Sequence, residues 1–131
     1  MKTQEYQHNS GAEAEALERV AALLATPVKH DLDEIERAAL DRLIAAALRG
    51  TGQSRIIANF LLSWWNSDEC GAFDPTLLWG LDRDLTEDVR LVFRAIGDMA
   101  KYPDTLGYGK QFDRLVKMWR PQLHAIDSSE K

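Results

Sequence analysis

Cysteine, histidine and long apolar runs are scarce in this sequence, and each shortage removes a class of protein. Cys70 is the one cysteine among 131 residues. It cannot form an internal disulfide, so a reducing compartment, the cytoplasm, is expected. His8, His30 and His124 are the only histidines, and they show no zinc spacing with Cys70. No metal and no cofactor are expected. A membrane span takes about 20 apolar residues. The apolar run from Ile56 to Trp65 is shorter than that and is broken by Asn59 and Ser63. The first residues are polar, with no apolar stretch of a signal peptide behind them. No membrane partner is expected. Basic charge is also short: 16 Lys and Arg stand against 21 Asp and Glu, a net charge of -5. That balance argues against broad electrostatic binding of nucleic acid.

What is present is helical periodicity. Leu17, Val20, Ala21 and Leu24 follow the i, i+3, i+4, i+7 spacing of one helix face, which predicts a first helix from about Ala12 to Ala25. Asp31 and Glu34 form a capping-box pattern for a second helix carrying Leu40, Leu43, Ile44, Ala47 and Leu48, and Gly50 ends it. Ser54 is a good N-cap for a third. Its apolar set, Ile56, Ile57, Phe60, Leu61, Trp64 and Trp65, covers more than one face, so this helix is expected to be the most central.

Turn residues fill Asn66 to Pro75, and a short helical turn is expected at Thr76 to Trp79. Asp84 and Glu87 suggest another capping box. Leu85, Val89, Val92, Phe93, Ile96 and Ala100 mark a long amphipathic helix, in which Gly97 is expected where another backbone passes close by. Tyr102-Pro103 closes it. Phe112, Leu115, Val116 and Trp119 mark the last helix, with Pro121 ending or bending it. No stretch alternates like a strand. The expectation is an all-α, single-domain bundle of five or six helices with a Trp-rich core. Residues 12–121 form the domain, between tails at 1–11 and 122–131.

No catalytic constellation emerges. Cys70 follows Asp68-Glu69, and acidic neighbours raise a thiol pKa, which disfavours a nucleophile. Gly107-Tyr108-Gly109-Lys110 resembles the end of a phosphate loop, but Asp104 stands where its first glycine belongs and Gln111 follows the lysine. An anion at the helix start near Ser54 and Arg55 is the modest survivor. Four tryptophans remain to be explained. Trp64 and Trp65 are adjacent on one helix, about 100° apart. One is expected in the core, the other along a groove or interface.

The segments Thr51-Gly52-Gln53-Ser54, Phe60-Leu61-Leu62-Ser63-Trp64-Trp65-Asn66, Cys70-Gly71-Ala72-Phe73-Asp74, Leu78-Trp79 and Asp82 belong together. With Tyr102-Pro103-Asp104-Thr105-Leu106-Gly107-Tyr108-Gly109, Phe112 and Trp119-Arg120-Pro121, they resemble a family of small uncharacterised bacterial proteins. The resemblance covers about Ala38 to Pro121. It implies no activity. It does imply a setting on proteobacterial plasmids and integrated mobile elements, where accessory roles such as regulation or evasion of host defence are at home.

Three functional expectations follow. The first is a non-enzymatic module that binds another protein, or a second copy of itself, through Trp64, Trp65, Asp74, Trp79 and Tyr108. The second is nucleic-acid binding through Lys110, Arg114, Lys117 and Arg120 on the last helix, in the one basic stretch of the chain. The third is an enzyme with its site in the 68–82 loop beside Tyr108.

Overall fold

A computed structural model describes residues 10–25 and 27–123. Of the expected tails at 1–11 and 122–131, residues 1–9 and 124–131, with His8 and His124, lie outside the described residues, as does the side chain of Leu24, while residues 10, 11, 122 and 123 are helical. Among the described residues the α-helices are α1 (Ser10–Ala25), α2 (Glu34–Ala47), α3 (Gly52–Cys70), α4 (Arg83–Met99) and α5 (Gly109–Trp119). Two 3-10 turns, Pro75–Gly80 and Pro103–Leu106, join them, and no strand occurs among the described residues.

Helix α2 starts two residues later than the Asp31 pattern suggests. Asp31-x-x-Glu34 and Asp33-x-x-Glu36 both fit a capping box, and the second is used. The Asp33 carboxylate accepts from the Glu36 amide at 2.7 Å, and the Glu36 carboxylate accepts from the Asp33 amide at 2.9 Å. Glu36 is buried and also binds the Lys29 ammonium. That third contact favours the later start. Asp31 instead receives the Leu32 amide and Arg37.

The same shift occurs at α3, in the opposite direction. Thr51, not Ser54, is the N-cap. Ser54 is buried at the third helical position and donates its hydroxyl to the Ala46 carbonyl at 2.6 Å. This bond sews the start of α3 to the end of α2. It also takes Ser54 itself out of any anion site at this helix start, because its hydroxyl and amide are both used within the fold.

The core gathers Leu40 and Leu43 of α2, Ile57, Leu61 and Leu62 of α3, Val92 and Met99 of α4, and Phe112 and Leu115 of α5, all fully buried. Burying each such side chain contributes roughly 1.5–3 kcal/mol. Helix α2, rather than α3, packs on all three of α3, α4 and α5. Its buried Ala39, Ala46 and Ala47 permit that close approach from several sides. The core is less rich in tryptophan than expected. Trp64 is buried, Trp65 and Trp119 are half-buried, and Trp79 is 86% exposed. Two of these indoles are anchored. Trp64 Nε1 donates to the Lys101 carbonyl and Trp119 Nε1 to the Ala47 carbonyl, each at 2.9 Å.

Helix α4 begins at Arg83 after Asp82, without the expected Asp84 box. Gln53 of α3 grips Asp82 instead, accepting from its amide and donating to its carboxylate. Asp88 is buried in α4 and takes two hydrogen bonds from Arg42, at 3.0 and 2.8 Å. Gly97 does not mark a crossing backbone: a side chain there would meet nothing within 4 Å. Ala100 ends α4 in the left-handed conformation, at φ 54°. The residues 121–123 after α5 are helical, so Pro121 bends the chain there. Helix α1 stands apart from this core, with Leu17 and Val20 exposed.

Candidate functional site

The site begins with one backbone irregularity. Inside α3, Asn66 has φ -165° and ψ 88°, which is extended rather than helical. Its side-chain oxygen accepts from the Glu69 amide at 3.2 Å. Asn66 therefore ends one helix and caps the next turn, as asparagine does by offering its own side chain to nearby amides. The redirected turn is held at its far end. Arg120 donates to the Cys70 carbonyl at 2.9 Å and to Asn59 at 2.9 Å.

Beside this kink a groove of about 760 Å³ opens between α3 and α4. Phe60, Trp64, Trp65, Phe93, Ile96 and Tyr102 form its apolar wall. Ser63, Asn66, Ser67, Asp68 and Asp104 form the polar one. The aromatic wall is built inward from fixed rings. Phe112 meets the Trp64 ring edge-on at 5.9 Å and lies 5.7 Å from Trp65. Phe60 touches Phe73 at 5.5 Å and Phe93 at 6.5 Å. Outward, Phe93 and Tyr102 are 68% and 64% exposed. Large apolar side chains left in water along a groove are the usual mark of a surface that something else covers.

Of the five residues expected at a partner face, the groove brings together Trp64 and Trp65. Tyr108 is buried: its hydroxyl donates to Asp41 at 2.8 Å and its ring lies under Arg37. Burial first, then Asp41, pushes its pKa up to about 12. Asp74 caps the first 3-10 turn, and the hydroxyl and amide of Thr76 hold its carboxyl below the usual range. That is the opposite of the raised pKa a general acid needs. Trp79 is exposed on the same turn but does not line the groove. Burial pushes the Cys70 thiol up, Glu69 adds to this, and Arg120 opposes both. Among the described residues no cluster of three His, Cys, Asp or Glu side chains is placed to hold a metal ion.

The four basic residues of the last helix do not form one free face. Lys110 and Arg114 are exposed and unpaired. Lys117 lies 3.6 Å from Asp113. Arg120 turns inward to Cys70, Asn59 and its neighbour's carbonyl.

Sequence reasoning did not place Phe93, Tyr102, Asp68 and Asp104 at a partner face: it counted Phe93 in the apolar stripe of α4, where it is exposed, and Asp68 only in the loop of the enzyme alternative. Phe93 carried a readable signal. Val89, Val92, Ile96 and Met99 already complete the inward stripe of α4, and Phe93 sits about 100° from Val92. It is one aromatic too many for a single face. The carboxylates carried none, because an exposed acidic residue looks the same with or without a groove behind it.

Fold and groove together define a small all-α bundle with an aromatic cleft. The chain belongs to a family of unknown function, DUF7673, whose model matches residues 37–120. The matched region begins within α2, so α1 lies outside it. No curated protein and no solved structure matches the chain. Among the described residues no helix is long and apolar enough to cross a membrane.

Proposed function

We propose that this chain is a non-enzymatic protein-binding module of the cytoplasm, and that it docks its partner in the groove between α3 and α4. The observation that carries the reading is the pair Phe93 and Tyr102, two-thirds exposed over a floor fixed by buried Trp64. Aromatic side chains of this kind dominate protein interfaces, because they present a large area at small conformational cost. The bacterial mobile-element setting implied by the sequence resemblance makes an accessory role, regulation or evasion of host defence, the matching biological reading. Nucleic-acid binding through α5 has less behind it, since two of its four cations are engaged within the fold.

Affinity capture from the native host tests the reading with two variants run beside the wild type. Phe93→Ser with Tyr102→Ser should lose the captured protein. Lys110→Glu with Arg114→Glu should keep it. The reverse pattern would move the function to α5.

A further inference from the structure

The groove's polar wall says what kind of partner fits. Asp68 and Asp104 both line it, both are exposed, and neither side chain makes a hydrogen bond or an ion pair. The buried carboxylates are engaged, Asp88 with Arg42 and Glu36 with Lys29, whereas Asp68 and Asp104, like the exposed Glu69 and Asp84, have no side-chain partner within the described residues. No lysine or arginine lines the groove. Two cations flank the lining residues in sequence: Lys101 donates its ammonium to the His30 carbonyl, and Arg94, next to Phe93 on α4, is exposed outside the groove lining. The cleft is thus aromatic on one side and carries two uncompensated negative charges on the other.

Resting on the docking role proposed above, we infer that the partner is a basic amphipathic segment of another protein, with apolar side chains on one face and Lys or Arg beside them. The apolar face meets Phe93, Ile96 and Tyr102. The cations reach Asp68 and Asp104, and the open rings of Tyr102 and Phe93 offer them a second attraction. The Asn66 amide NH2 makes no bond within the fold and is a donor for the segment's backbone.

Among the described residues, a second copy of the chain supplies no such segment. Its uncovered helix α1 carries Glu13, Glu15 and Glu18 against one Arg19, which sets like charge against Asp68 and Asp104. Its basic helix α5 has buried its apolar stripe, Phe112 and Leu115, in its own core.

The test uses two labelled 16-residue probes, an amphipathic helix of Leu and Lys and its Leu and Glu counterpart, titrated into the full chain. The basic probe should bind at least tenfold more tightly, with amide shifts at residues 63–68, 93–96, 102 and 104. Asp68→Asn with Asp104→Asn should weaken it about threefold to tenfold, since exposed ion pairs are individually weak. That variant should melt with the wild type. Equal binding of both probes in the groove overturns the charge preference and leaves the docking role standing. Binding of the basic probe outside the groove, at the glutamates of α1, overturns the inference as well. No binding of either probe counts against the groove as a docking surface altogether. Concentration-dependent dimers abolished by Phe93→Ser would make the occupant a second copy and overturn the basic partner.

Discussion

Replacing Asn66 with alanine perturbs the groove at its origin, and the structure fixes the expected size of the effect. Alanine removes the bond from the Glu69 amide to the Asn66 side chain. Losing such a cap costs about 1 kcal/mol. A competing outcome is that α3 straightens through position 66, where alanine gains about 0.5 kcal/mol of helix propensity over asparagine. Straightening would pull Cys70 away from Arg120 and Phe73 away from Phe60. A hydrogen bond from a charged donor is worth about 1.5–3 kcal/mol, and an aromatic edge contact about 0.5–1.5 kcal/mol. The tertiary contacts therefore win, and the kink stays. Asn66→Ala should melt lower by about 3–5 °C, in a single cooperative transition. Helix content should be unchanged, and amide shifts should be confined to the groove. A variant that melts higher and gains helical circular dichroism would refute this reasoning, by showing that the asparagine and not the packing creates the bend.

Ser54→Ala should cost about 1–2 kcal/mol, because a buried hydroxyl that serves two backbone groups is lost without a change in volume. In urea its midpoint should fall at constant slope; a midpoint equal to the wild type would dismiss the link between α2 and α3. Tyr108 favours its neutral form in the fold, from an ordinary pKa of 10.0 up to about 12. Its contribution to stability is thus whole below the unfolded pKa and is lost as pH rises toward the folded one. Phenolate absorbance should show one late-titrating tyrosine, absent in Tyr108→Phe; an unchanged curve in that variant would contradict the buried pair with Asp41.

The helices were legible because their periodicity is strong. The stripes of α2 and α5 read directly from Leu40, Leu43, Phe112 and Leu115, which are all buried. Boundaries were less legible where two caps compete. Asp31 and Asp33 both head a capping-box pattern in the sequence, and Lys29, folded back onto Glu36, favours the second. Centrality misled for a related reason. An alanine-rich helix looks weakly apolar, yet small side chains are what let α2 touch three neighbours. The groove was half legible. Trp64 and Trp65 point to it from the sequence, whereas Tyr108 was expected there and is buried against Asp41. Asp68 and Asp104 are 36 positions apart in sequence by number alone, and only the fold after the Asn66 kink sets them along one cleft.

The measurement that reaches the central claim most directly is photo-crosslinking in the native host, with a photoreactive residue at position 93 and, separately, at position 114. Position 93 should give a discrete adduct with one protein, and the adduct should vanish when Tyr102→Ser is added. Position 114 should give none. A discrete adduct at 114 with none at 93 would contradict the groove as the binding face.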